Sequence, residues 1–80
     1  MTESQYQKKL IDQYTKQGYL VIKMIKTNIV GIPDLLLLKA GEIPIFIEVK
    51  GPNGRASKIQ EYRIKQLIDM GFLARIDKCS

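Results

Sequence analysis

Residues 31–50 read Gly-Ile-Pro-Asp-Leu-Leu-Leu-Leu-Lys-Ala-Gly-Glu-Ile-Pro-Ile-Phe-Ile-Glu-Val-Lys. Gly31 and Pro33 break any regular element entering this stretch, so the turn over Asn28 to Pro33 gives way to a strongly apolar strand from Asp34 to Lys39. Ala40-Gly41-Glu42-Ile43 has the length of a common hairpin loop, and Pro44 to Lys50 is a further strand, so the two should pair antiparallel. With the hairpin turning about Gly41, Leu36 lies across from Phe46 and Asp34 across from Glu48, their side chains on one face. Glu48 and Lys50 share that face with Phe46, while Ile45, Ile47 and Val49 point to the other. A slip of one residue would undo this pairing.

Outward from the hairpin, Tyr6, Leu10, Ile11 and Tyr14 recur at helical spacing. Thr2 with Gln5 forms a capping box and Gly18 a stop, which predicts a helix over 3–17. Tyr19 to Lys26 is β-branched and short, hence a strand ending near Thr27-Asn28. On the other side, Gly51 to Ala56 is a flexible basic loop, and Ser57 with Gln60 announces a second helix. Ile59, Tyr62, Ile64, Leu67 and Ile68 are expected to form its buried stripe and Gly71 its end. Phe72 to Asp77 is a last strand, parallel to the third through a right-handed crossover. The predicted class is α/β (α+β), in the order αβββαβ: a mixed four-stranded sheet flanked by helices, in a single domain over residues 1–80.

The chain is short at 80 residues, with 45% apolar and 26% charged residues, the composition of a globular domain. A core this thin leaves apolar strand surface in need of cover, so a homodimer is expected. No apolar stretch approaches the about 20 residues that span a bilayer, and no membrane role is expected. Met1 to Leu10 reads as an amphipathic helix rather than a secretory leader, which predicts a cytoplasmic protein. A single cysteine, Cys79, excludes an internal disulfide, and the absence of histidine excludes zinc fingers and Ser-His or Cys-His triads. Chemistry here has to run on carboxylates and lysines. A net charge of +5 suits nucleic acid or an acidic membrane.

Two carboxylates directly opposite one another repel unless a positive charge sits between them. A divalent cation fits: Mg²⁺ takes oxygen ligands, typically one or two carboxylates with water and substrate phosphate. Lys50 adds a compact cation able to orient an attacking water or stabilise charge on a phosphodiester transition state. Metal and lysine together meet the needs of phosphodiester hydrolysis without a histidine.

Gly31-Ile32-Pro33-Asp34, thirteen further residues and then Glu48-Val49-Lys50 resemble the PD-(D/E)XK nuclease signature, and the αβββαβ order resembles that superfamily's restriction-endonuclease-like core. Glu3 in the first helix and Gln60 early in the second sharpen the resemblance to the VRR-NUC family, in the short stand-alone form found in phages and bacteria. The resemblance implies that Asp34 and Glu48 bind Mg²⁺ or Mn²⁺ with the carbonyl of Val49, and that Lys50 is the catalytic lysine. It implies that Glu3 reaches the metal through water and that Gln60 orients Lys50 or the scissile phosphate. Stand-alone members are similar to Holliday-junction resolvases, acting as homodimers on branched DNA in a bacterial or phage-infected cell.

Simpler readings stand beside these. An acid in a first helical turn is favoured by the macrodipole alone, which would explain Glu3, and Gln60 completes a capping box with Ser57. Asp34 after Pro33 can satisfy turn amides. Arg55 and Lys58 are expected to contact DNA phosphates, or else to keep an exposed loop soluble. Tyr6, Tyr14 and Tyr62 read as core or dimer interface. The rival to a nuclease is a noncatalytic nucleic-acid-binding module with a nuclease fold. A structural subunit of a larger complex is a third possibility.

Overall fold

The computed structural model describes residues 1–79. Helix α1 spans Glu3–Lys16 and carries the capping box of Thr2 and Gln5. Strands β1 (Leu20–Lys23), β2 (Leu35–Leu38) and β3 (Ile45–Lys50) follow, then α2 (Lys58–Asp69), capped by Ser57 and Gln60, and β4 (Leu73–Lys78). The sheet runs β1-β2-β3-β4, antiparallel at its first two junctions and parallel between β3 and β4. This is the expected mixed four-stranded sheet with two helices. The hairpin register is also as expected: Leu36 faces Phe46 and Leu35 faces Ile47, so the continuation sets Asp34 opposite Glu48.

One sheet face holds the core. Leu35, Leu37, Ile45, Ile47 and Val49 are buried there with Leu10 of α1, and Tyr6, Ile11, Tyr14, Tyr19 and Val21 pack around them. Polar contacts fasten α1 to the far edge of the sheet: the Tyr6 hydroxyl donates to Asp77 Oδ1 at 2.5 Å, and Arg75 donates to the Tyr14 hydroxyl. That bond to Asp77, followed by burial and the Asp77 charge, pushes the Tyr6 phenol up to about 12. Tyr6→Phe is expected to cost about 1–2 kcal/mol, because a hydrogen bond to a charged group is lost while the ring still fills its place. Urea denaturation at pH 7 would read it as a lower midpoint with an unchanged slope.

Two expectations are corrected. β1 ends at Lys23 rather than near Thr27-Asn28. Met24 N–H still donates to the Asp34 carbonyl at 2.7 Å, but Pro33 has no N–H with which to carry the ladder on. The predicted stripe of α2 is only partly buried: Leu67 is covered and Ile64 half-buried, whereas Ile59, Tyr62 and Ile68 are exposed. α2 packs against β4, the edge strand, so part of its apolar face overhangs the sheet. No helix among the described residues is long and apolar enough to cross a membrane.

Candidate active site

The far end of the hairpin gathers the charged residues. Asp34 leaves a turn whose Pro33 is fully buried, and its Oδ2 accepts the Val49 N–H at 2.9 Å. That bond ties the aspartate to the main chain beside Glu48. Glu48 lies on the face opposite the aliphatic core, yet only 2% of it is exposed. Its Oε2 receives Lys50 Nζ at 3.3 Å and the Gln60 amide at 3.2 Å. Its Oε1 is buried with no hydrogen-bond partner among the described residues. Burial first, and then the Asp34 carboxylate beside it, push the Glu48 carboxyl up to about 7, while Lys50 pulls the other way.

Gln60 makes the cap and also reaches the charged cluster, where it meets Glu48 rather than Lys50. Its Oε1 accepts the Ser57 N–H at 2.9 Å, completing the cap, which turns its Nε2 toward Glu48. An amide has two ends, and the helix start uses one to aim the other. Glu3 sits differently. Its Oε1 accepts the Gly51 N–H at 3.3 Å, just beyond Lys50, and no group of three or more His, Cys, Asp or Glu side chains converges among the described residues. Glu3 therefore does not join Asp34 and Glu48 as a third acid. Arg55 is exposed in the loop after β3, and Lys58 is exposed at the start of α2.

Two residues shape the site in ways that their sequence positions do not assign. A Cβ on Gly51 would lie 3.3 Å from the Glu3 backbone nitrogen, so this glycine lets α1 seat against the end of β3. A glycine ending a buried strand is a recognisable sign of such close approach. Arg63 donates to the Val30 carbonyl at 2.8 Å and holds the turn before Asp34 against α2. Nothing in the sequence around Arg63 signals that role.

The donor set fits a hard divalent cation: two adjacent carboxylates, one with a buried oxygen lacking a partner. Without the cation the pair is costly. The Glu48 carboxyl is raised above its unfolded value, so the folded protein binds the extra proton between about pH 4.5 and about pH 7. Stability is thus greatest below that window and falls as pH rises through it. In EDTA the melting temperature is expected to drop from pH 5 to pH 7.5, and Glu48→Gln, which imitates the protonated form, should flatten that drop. Equal slopes for the two proteins would contradict it.

A family model of the VRR-NUC domain matches residues 20–78. No curated protein matches the chain.

Proposed function

Because the chain belongs to the VRR-NUC domain family, which implies a nuclease acting on DNA, we propose that it is a Mg²⁺- or Mn²⁺-dependent endonuclease of the PD-(D/E)XK superfamily. The observation that carries this reading is the acidic pair, Asp34 opposite Glu48, with Glu48 Oε1 buried and lacking a partner and Lys50 at the other oxygen.

When bound, the cation polarises the phosphate and lowers the pKa of the attacking water. Asp34 and Glu48, with the carbonyl of Val49, are the groups assigned to hold it. Lys50 Nζ keeps a positive charge beside them, where negative charge grows on the phosphate, and orients the water. Gln60, fixed by the cap, holds Glu48 Oε2 in place and leaves Oε1 for the cation. Glu3 has a positioning role: it holds the main chain at Gly51 directly after Lys50 and reaches the metal only through water. Arg55 and Lys58, in and after the loop that follows Lys50, meet the DNA backbone.

The preferred substrate is branched DNA of the kind a Holliday-junction resolvase cuts. The exposed Arg55 and Lys58 offer contacts to phosphates, which position DNA without reading its sequence, and this favours recognition of DNA form. Tyr62 and Ile68 on α2, Met70 just after it, and Leu73 and Ile76 on β4 stand exposed. A second copy covering them makes a stand-alone homodimer, and light scattering should return twice the chain mass.

The test is cleavage of end-labelled single strand, duplex, flap and four-way junction in Mg²⁺ or Mn²⁺, with EDTA as control. Cutting that EDTA stops, strongest on branched substrates, is the expected result. Binding of junctions without cutting in either metal would overturn the nuclease and leave the noncatalytic module.

A further inference from the structure

The connection from β1 to β2 exposes large apolar side chains beside the site. Ile25 is 83% exposed, Val30 71% and Ile29 41%. Looseness does not explain this, because the loop is built. Its base is closed by Met24 N–H on the Asp34 carbonyl, so it projects from the same residue that supplies the site carboxylate. Within it, Thr27 Oγ1 donates to the Ile29 carbonyl at 2.8 Å and accepts the Ile29 N–H at 3.3 Å. Arg63 grips the Val30 carbonyl, and Gly31 packs against Ile59 so closely that a Cβ would approach its carbonyl oxygen at 2.9 Å. A fixed loop thus holds three aliphatic side chains toward solvent.

Charge indicates what meets them. Residues 13–33 contain Lys16, Lys23 and Lys26 and no carboxylate. An apolar tip flanked by lysines suits a polyanion with apolar surface inside it, which is the make-up of DNA where its base stack is interrupted. Proteins that kink DNA push aliphatic side chains between base steps while cations hold the phosphates on either side.

We propose that the loop from Ile25 to Val30 is a wedge that enters the base stack at a DNA branch point, with Lys23 and Lys26 on the flanking phosphates. The proposal rests on the nuclease reading above and deepens it. It makes selection of branched DNA the work of a loop attached directly to Asp34, so that the strand at the opened step lies beside the acidic pair.

The experiment places 2-aminopurine at the branch point of a four-way junction, with EDTA present so that nothing is cut, and follows its fluorescence on binding. Wild-type protein is expected to raise the signal as the base unstacks, and the double variant Ile25→Ser with Val30→Ser to abolish the rise. In Mg²⁺ the same variant should lose about tenfold more cleavage on the junction than on duplex. Ile25→Phe, which keeps an apolar tip, should preserve the rise. A wild type that cuts DNA but gives no rise would overturn the wedge and leave the nuclease standing. An equal loss on junction and duplex would do the same, as would a variant that has changed mass by light scattering, which would make the loop a contact between copies. A wild type that neither binds nor cuts any DNA would overturn both readings.

Discussion

Lys50→Ala is expected to lower metal-dependent DNA cleavage about a thousandfold while the protein remains folded. The size follows from what the side chain does. Lys50 is the ammonium in contact with Glu48, and in the proposed reaction it would stand where charge develops as the phosphodiester opens. Loss of one group that stabilises developing charge in a sheltered site typically costs two to three orders of magnitude, and loss of its help in aligning water adds to that. The fold survives because Glu48 has another response: with its carboxyl already near pH 7, removal of the lysine drives it further up, and it takes a proton in neutral buffer. Circular dichroism should therefore match wild type while single-turnover cutting collapses. A variant that cuts within a few-fold of wild type would remove Lys50 from the chemistry.

Gly31→Ala should produce the largest loss of stability from a single added methyl group. Gly31 has φ of +85°, where a Cβ costs roughly 1–2 kcal/mol. The added atom would also lie 2.9 Å from both Ile59 Cγ1 and the Ile59 carbonyl oxygen. The side chain can turn away, but the carbonyl belongs to a helix and cannot, so overpacking adds about 1–3 kcal/mol. Against the few kcal/mol that hold a small domain together, the melting temperature should fall by about 10 °C or more. Gly41 is the natural comparison. It has nearly the same φ, +79°, and nothing within 4 Å of the added atom, so Gly41→Ala should show the conformational cost alone. Similar losses at both positions would mean that the seat on Ile59 is unimportant. Because Gly31 leads into Asp34, the Ala variant should also lose cleavage at temperatures where it is still folded.

The hairpin was legible because its signals are local and reinforce one another. Gly31 and Pro33 set the start, four leucines and the alternation after Pro44 set the strands, and Gly41 set the turn, which together determine that Asp34 faces Glu48. Both capping boxes were equally readable, since a cap involves only residues three apart. Long-range packing was not. Periodicity places Ile59, Tyr62 and Ile68 on one side of α2, but whether that side is covered depends on how far the sheet extends beneath it, and β4 is its last strand. The same limit hid Gly51 against Glu3 and Arg63 on Val30, contacts between residues 48 and 33 positions apart. Glu3 shows the limit from the other side. The sequence puts an acid at the right end of α1, but only the packing of α1 on β3 decides that its carboxylate meets a backbone amide rather than the acidic pair.

Cleavage is proposed to depend on a divalent cation that Asp34 and Glu48 hold together. Calorimetric titration of Mn²⁺ into the protein, alone and with an uncleavable phosphorothioate junction, tests it most directly when set beside Asp34→Asn. Wild-type protein is expected to bind Mn²⁺ saturably, and more tightly with the DNA, whereas the variant should bind none at the same protein concentration. Absence of Mn²⁺ binding by wild-type protein with the DNA present, or equal binding by Asp34→Asn, would contradict it.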